Sequence, residues 1–537
     1  MEKTASHTHS ADASPQGHEY VDSPSAADSS RSSWDLEKHM NSDAAKLDAW
    51  SPEQAGEGDG ESSDGESTEK FEVGWDGADD PQNPYNWGAA RRWFITIGTC
   101  LCATNIAWSS SVFTATYDGM EAEFGNAREI SILTLTLYVF GMATGPMVYS
   151  PLSEFYGRRN IYIISFTFFV CMDLIVAFGK NIGAILAGRF LSGLAGSAFI
   201  ALAGGTVSDL FPKKSLGLPM SFYTMAPLMG PSLGPITGNF ISANAYWRWV
   251  PRVMLCFTGG CLIFIILFVP ETFGPVLLRR KAQKLRKQIG DERYKAPIEH
   301  LSKSVTKTVL LSLKRPFQIM LGDSMVFFLC LYTSIGLGIN YLFFDAFPLV
   351  FENNKGIKSE FIGLTFLGVL VGVIIGVIAQ QYWTKLYDQL TAKNGGVPKP
   401  EFRLPQLIVS SFAVPIGLFG FAFTTYKSVH WIVPIILSSF FGFGLHSLLA
   451  AVFTYLVEGY RLYAASVLAG NNFMRGSFAA GFPLFGNQMF ERLGYQWAAA
   501  LLGFITLACI PFPILFYKHG EILRAKSKYG YLGGDSP

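Results

Sequence analysis

A few charged and titratable residues stand where the surrounding chain is apolar, and they set the chemistry open to it. Arg189 lies in Gly188-Arg189-Phe190-Leu191-Ser192-Gly193, within a stretch of membrane length. A guanidinium there costs roughly 2.5–3.5 kcal/mol on insertion scales, so it needs a partner or a water-filled cavity. Asp173, in the preceding apolar stretch, could be that partner or could lie near a membrane interface; backbone carbonyls could equally satisfy the arginine. Asp345 and His446 are titratable in apolar surroundings and could carry protons. Glu154, Arg158 and Arg159 share the short connection Ser150-Pro151-Leu152-Ser153-Glu154-Phe155-Tyr156-Gly157-Arg158-Arg159, where paired arginines would anchor one membrane face. Asn105, Trp108, Tyr138, Asn340, Tyr341 and Asn471 could line a substrate path, as could Asn472 and Arg475. Hydrogen bonding between helices explains such residues equally well.

The elements that must position these residues are membrane helices. Half of the 537 residues are hydrophobic and 15% are charged, where a soluble globule carries about a quarter charged residues. Apolar residues fall in blocks of about 20, long enough to cross a ~30 Å hydrocarbon layer. The blocks give twelve spans, near 92–113, 130–150, 160–180, 183–206, 217–241, 248–269, 324–347, 361–383, 405–424, 431–453, 463–485 and 496–517.

Charge sets the orientation. The net charge is +1, yet residues 1–90 hold 20 Asp/Glu against 5 Lys/Arg, which leaves 37 basic and 21 acidic residues in the rest. Arg158/Arg159, Lys213/Lys214, a basic run from Arg279 to Lys295, Lys385 to Arg403 and Lys518 to Lys528 all fall on one side. That side is expected to be the cytoplasmic one, with both termini. Nucleic-acid binding by the basic run is not expected, because spans flank it. The expected domains are a disordered acidic tail (1–88), a first six-helix bundle (89–270), a basic linker (271–321), a second six-helix bundle (322–518) and a short tail (519–537). The seven cysteines all lie in apolar segments and read as small membrane-buried side chains. No metal site, cofactor or catalytic pair is expected, and no G-x-x-x-x-G-K-[ST] phosphate loop for an ATP-driven pump occurs.

The run Met229-Gly230-Pro231-Ser232-Leu233-Gly234-Pro235-Ile236-Thr237-Gly238-Asn239 carries the most information. Gly230, Gly234 and Gly238 fall four apart and form one smooth helix face, while Pro231 and Pro235 each remove a backbone donor. The pattern resembles the antiporter motif G-x3-G-P-x2-G-G of major facilitator drug:proton exporters, with Asn239 in place of the last glycine. The connection at 150–159 is similar to that superfamily's G-x-L-a-D-r-x-G-R-R signature, with Ser150 for the first Gly and Glu154 for Asp. Trp247-Arg248-Trp249, Pro270-Glu271-Thr272, Asp345-Ala346-Phe347-Pro348 and Pro400-Glu401-Phe402-Arg403-Leu404-Pro405 resemble the fungal twelve-span drug:proton antiporter branch, which includes polyamine, multidrug and secondary-metabolite exporters.

That resemblance implies an all-α membrane protein of the major facilitator fold, with twelve transmembrane helices in two six-helix pseudo-symmetric bundles. It implies a proton-coupled exporter of amphipathic or cationic small organic compounds, monomeric in the lipid bilayer of the plasma membrane and not an enzyme. Glu154, Arg158, Arg159, Arg189, Asp345 and His446 would couple or gate proton movement. Asn105, Trp108, Tyr138, Asn340, Tyr341 and Asn471 would face the cavity, and Gly230, Pro231, Gly234, Pro235 and Gly238 would form a hinge. Rival readings are a polyamine or nutrient transporter of the same fold and a non-transporting membrane sensor. Pro270-Glu271-Thr272-Phe273-Gly274 departs from the P-E-S-P-R of sugar porters, which counts against sugar uptake.

Overall fold

The computed structural model describes residues 71–77, 79–212, 215–300 and 305–530. Lys213 and Lys214 lie outside the described residues, as does most of the acidic tail. In the first half, α1 (Ala89–Ser111) is followed by the short α2 (Tyr117–Phe124), then α3 (Arg128–Thr144), α4 (Pro146–Tyr156), α5 (Arg158–Phe178), α6 (Ile182–Leu210), α7 (Gly217–Asn244) and α8 (Trp249–Phe268). The linker carries α9 (Gly274–Ile289) and α10 (Val305–Gly322). The second half holds α11 (Ser324–Pro348), α12 (Leu367–Lys393), α13 (Leu404–Thr424), α14 (Ile432–Gly459), α15 (Ala464–Gly481), α16 (Pro483–Leu493), α17 (Tyr495–Ala508) and α18 (Pro511–Lys526). Helix therefore occupies each interval in which a span was expected.

Among the described residues, eight helical stretches are long and apolar enough to cross a bilayer. The pair α3–α4, bent by 41°, makes a ninth. The bend falls at Pro146, which cannot donate to the preceding turn. The expected spans that fall short are α1, α7 and α15–α16, and the reason is chemical. They carry Asn105 and Ser109–Ser111, three internal prolines, and Asn471, Asn472 and Arg475 respectively. They hold much of the polar chemistry.

The two halves repeat. On α3, a Cβ added at Gly141 would lie 2.3 Å from the Phe190 carbonyl oxygen of α6, and one at Gly193 would lie 2.0 Å from that of Tyr138. In the second half, Gly368 and Gly372 of α12 meet the carbonyl oxygens of Ile435 (2.2 Å) and Ser439 (2.0 Å) on α14 in the same way. Backbones approach this closely only where both surfaces lack side chains. The pairs α1–α7, α5–α6 and α5–α8 likewise recur as α11–α15, α13–α14 and α13–α17. Each partnership reappears six spans later, which is the pseudo-symmetry expected of this fold. The apolar core divides similarly: one large cluster is built almost wholly from residues beyond 319, and separate clusters fill the first half.

The halves meet along α3–α15 and α7–α12. Thr136 donates to the Ala480 carbonyl at 2.8 Å. A Cβ at Gly476 would lie 2.3 Å from that of Ala143, and one at Gly363 would lie 2.2 Å from the Pro235 carbonyl oxygen. The antiporter-type run forms an unbroken helix in α7 despite its prolines. All three of its glycines face α1 and the turn after it: added Cβ atoms would lie 2.4 Å from Ala107 Cβ, 2.0 Å from Ser111 Oγ and 2.9 Å from Ala115 Cβ.

Residues 71–76 and Asp80 contact the linker, and Tyr85 and Trp87 pack on the first bundle, where Tyr85 donates to the Ser208 carbonyl of α6. Val73 N–H donates to the Lys295 carbonyl at 2.9 Å, Phe71 packs edge-on against Tyr294, and Lys281 pairs with Asp76 at 2.7 Å. Phe71, Val73 and Trp75 supply the apolar side chains of this stretch. Cys171 and Cys256 are exposed on the bundle surface, whereas Cys102, Cys261, Cys330 and Cys509 are buried.

Candidate transport site

The guanidinium of Arg189 is held by backbone, not by a carboxylate. Its Nε donates to the Thr134 carbonyl at 3.0 Å, and Nη2 donates to those of Ser109 (2.9 Å) and Ser110 (3.2 Å). The rings of Phe113 and Tyr138 cover it at 3.9 and 4.0 Å. Serines and a threonine explain the geometry, because their small side chains let α1 and α3 present carbonyls to α6. Asp173 is bound elsewhere: it accepts from Ser192 at 2.9 Å and Thr258 at 3.3 Å. Of the readings open in the sequence, satisfaction by carbonyls is the one realised.

Ser110 carries this cluster across to the other half. Its hydroxyl lies 3.0 Å from the Tyr341 hydroxyl, joining α1 to α11. One turn further along α11, at the same face, Asp345 lines a cavity of about 320 Å³. Tyr117, Glu121, Arg128, Asn239 and Glu491 share that wall. Arg128 is engaged by Asp118 and by Glu121 at 3.0 Å. Asp345 is 5% exposed and its Oδ2 has no hydrogen-bond partner among the described residues. A buried carboxylate so placed is poised to bind a proton or a cation.

The other candidates disperse. Asn105 donates to Thr258 (3.2 Å) inside the first bundle, Trp108 to Thr237 (2.8 Å) and Asn471 to Thr333 (2.8 Å). Asn340 is buried on α11. His446 sits between α12 and α14, its Nδ1 2.8 Å from where a Cβ at Gly376 would be, and it does not line the cavity. Of the candidates, Arg189, Tyr138 and Tyr341 gather around Ser110, with the Tyr138 hydroxyl donating to the Ile106 carbonyl (2.9 Å), and Asp345 stands one turn beyond Tyr341 on α11.

At the linker face, Glu154 is exposed at the end of α4. Arg158 donates to Ser153 Oγ at 2.6 Å and lies 3.5 Å from Asp209. Buried Glu271 accepts from the Arg158 (2.9 Å), Arg159 (3.4 Å), Thr272 (3.2 Å) and Phe273 (3.1 Å) amides, so it caps α5 from the end of α8. Gly157, at φ 86°, makes room: a Cβ would lie 2.1 Å from Glu271 Oε2. The second half instead carries the ion pairs Arg403–Glu458 (2.7 Å) and buried Arg524–Glu401 (2.7 Å) at this face. At the opposite face, Glu123 accepts from Tyr246, from Trp247 at 2.9 Å and from Arg248 at 2.5 Å, while Arg248 also donates to the Gly179 carbonyl. The Arg248 hydrogen bond foremost, with those of Tyr246 and Trp247, holds the Glu123 carboxyl down to about 2.

Sequence reasoning missed Ser110, Tyr117, Arg128, Asp209 and Glu271 as site residues. Three serines in succession at 109–111 were a visible signal; the partners of Asp209 and Glu271 lie far away in sequence.

Paired repeats around a polar seam, with ionic locks at both faces, define a membrane carrier. A sequence profile of the Major Facilitator Superfamily matches residues 99–483, and the chain belongs to that superfamily. It is 44% identical over 465 residues to efflux pump atB of Aspergillus terreus, spanning 86% of this chain and 90% of that protein. It is 40% identical over 495 residues, 92% and 95% of the two chains, to the probable drug/proton antiporter YHK8 of Saccharomyces cerevisiae. Among solved structures it is similar to the partially occluded inward open xylose transporter XylE of E. coli, with TM-score 0.56, 16% identity, and 80% and 98% of the two chains covered. At that identity the likeness is one of fold.

Proposed function

We propose that the protein is a proton-coupled antiporter that exports amphipathic or cationic small organic compounds by alternating access. Relatives named as efflux pumps and a drug/proton antiporter support this direction. The observation that carries the coupling is the route from the cavity through Asp345 and Tyr341 to Ser110 and Arg189, which crosses from one half to the other. A proton taken up by Asp345 from the cavity face would weaken the field holding the seam, and the halves could then rock. Glu154, Arg158 and Arg159 would gate the linker face, and the glycine face of α7 would bear the sliding contact. His446 would act within its own bundle, at the α12–α14 join.

In this reading the linker face is cytoplasmic, the address is the plasma membrane, and the monomer in its bilayer suffices. The test uses inverted membrane vesicles with an acidified lumen. They should accumulate a fluorescent cation such as rhodamine 6G, and a protonophore should abolish the accumulation. Accumulation that ignores the pH gradient would refute the coupling.

A further inference from the structure

We infer that the central seam also holds an anion subsite, with Arg475 as the counter-ion of an aromatic acid. The inference rests on the export reading and widens its substrate class. Arg475 lies eleven residues into α15, about 16 Å from its linker-face end at ~1.5 Å per residue. That is near the middle of a ~30 Å layer. Arg524 and Arg403 pair with Glu401 and Glu458 at the linker face, and Arg189, the other arginine deep in the seam, donates to three carbonyls. Arg475 has neither. Its Nη2 donates to Asn472 Oδ1 at 2.8 Å, and its guanidinium lies 4.9 Å from the Phe453 ring centroid. Among the described residues, the ionisable groups that act on it electrostatically are Tyr223, Tyr341 and Cys330, and none of these is a carboxylate.

Arg475, Asn472, Phe453 and Tyr223 are each partly exposed although they lie within helices of the bundle. They come from α15, α14 and α7, so both halves contribute. The neighbouring Gly476 faces α3 at Ala143, while Arg475 meets Phe453 of α14 and lies within electrostatic reach of Tyr223 of α7 and Tyr341 of α11. A cation inside a span without a counter-charge is costly and marks a substrate pathway. A planar, five-donor guanidinium favours carboxylate or sulfonate oxygens, and the flanking rings favour an aromatic body. The ligand class is therefore a monoanionic aromatic acid.

The probe is 2-naphthalenesulfonate, which stays charged at any working pH, beside its neutral isostere 2-naphthalenesulfonamide and the cation rhodamine 6G. Protection of purified protein against thermal unfolding reads binding apart from transport. The wild type should bind the anion at least tenfold more tightly than the neutral isostere. Arg475→Gln should erase that preference, and Arg475→Lys should retain part of it, while rhodamine 6G binding persists in both. Equal affinity for anion and isostere in the wild type would overturn the inference without any variant having to fold; so would an undiminished preference in Arg475→Gln. If the anion binds as expected but neither charged compound follows a pH gradient in vesicles, the export reading fails and the subsite stands.

Discussion

In the proposed mechanism, Arg189 and Asp345 divide the labour that a single buried ion pair would otherwise perform. Arg189→Lys keeps the charge, but an ammonium cannot reach three carbonyls and two rings at once. Losing one such charged hydrogen bond should cost about 1.5–3 kcal/mol, measured as a lower melting temperature in detergent, and export should fall more than tenfold. Asp345→Asn should act differently. Its neutral amide can no longer take up a proton, so exchange of labelled for unlabelled substrate should persist while pH-driven accumulation disappears. Glu123 titrates outside the membrane. Its carboxyl is held at about 2 against an ordinary 4.5, so its stabilisation is full above the ordinary value and is lost as pH falls toward 2. Its partly exposed setting limits this to about 1 kcal/mol. Glu123→Gln should melt earlier than the wild type at pH 6, and the two should converge near pH 2. Asp345 and Arg189 were legible in the sequence as costly residues in apolar stretches. Their partners were not, because backbone carbonyls carry no side-chain signature.

At the scale of helices, glycine positions decide what can move. Gly234 was readable as part of a ridge, since its spacing with Gly230 and Gly238 repeats along one face. A leucine there would collide with Ser111 Oγ and with the Val112 amide nitrogen, 2.0 and 2.6 Å from the added Cβ. Backbone on the far side cannot yield, so Gly234→Leu should give misfolded, poorly delivered protein. Gly363 is a different case, because its near neighbour Pro235 belongs to the other half. Gly363→Ala should penalise the closed arrangement at the cavity face and favour its opening. A cysteine placed at Asn487, beside the cavity, should then react faster with a membrane-impermeant maleimide; an unchanged rate would show that this contact does not separate. Nothing in the residues around 363 announced the contact, which joins segments from different bundles. The same holds for residues 71–77: an acidic composition hid the apolar anchors Phe71 and Val73, whose dock is the linker segment at Arg293–Lys295, more than two hundred residues away.

For the whole molecule, charge sets how much work one proton can do. A ~100 mV potential supplies ~2.3 kcal/mol per charge, and one pH unit about 1.4 kcal/mol. Swapping one proton for a monocation moves no net charge, so only the pH term remains. Swapping it for a monoanion moves two charges, and the voltage counts twice. An inside-negative potential should therefore accelerate export of 2-naphthalenesulfonate and leave rhodamine 6G export nearly unchanged, as measured with potassium–valinomycin clamps. The twofold plan itself was legible from apolar blocks and the central basic gap, because hydrocarbon admits few alternatives to helices. The most direct measurement of coupling is proton movement driven by substrate. Liposomes carrying the purified protein are loaded with rhodamine 6G and a trapped pH dye of separate emission, then diluted into substrate-free buffer of equal pH. Outward flow of rhodamine 6G should acidify the lumen saturably, and Asp345→Asn should abolish the acidification. Efflux through native protein with no change in lumen pH would contradict proton antiport.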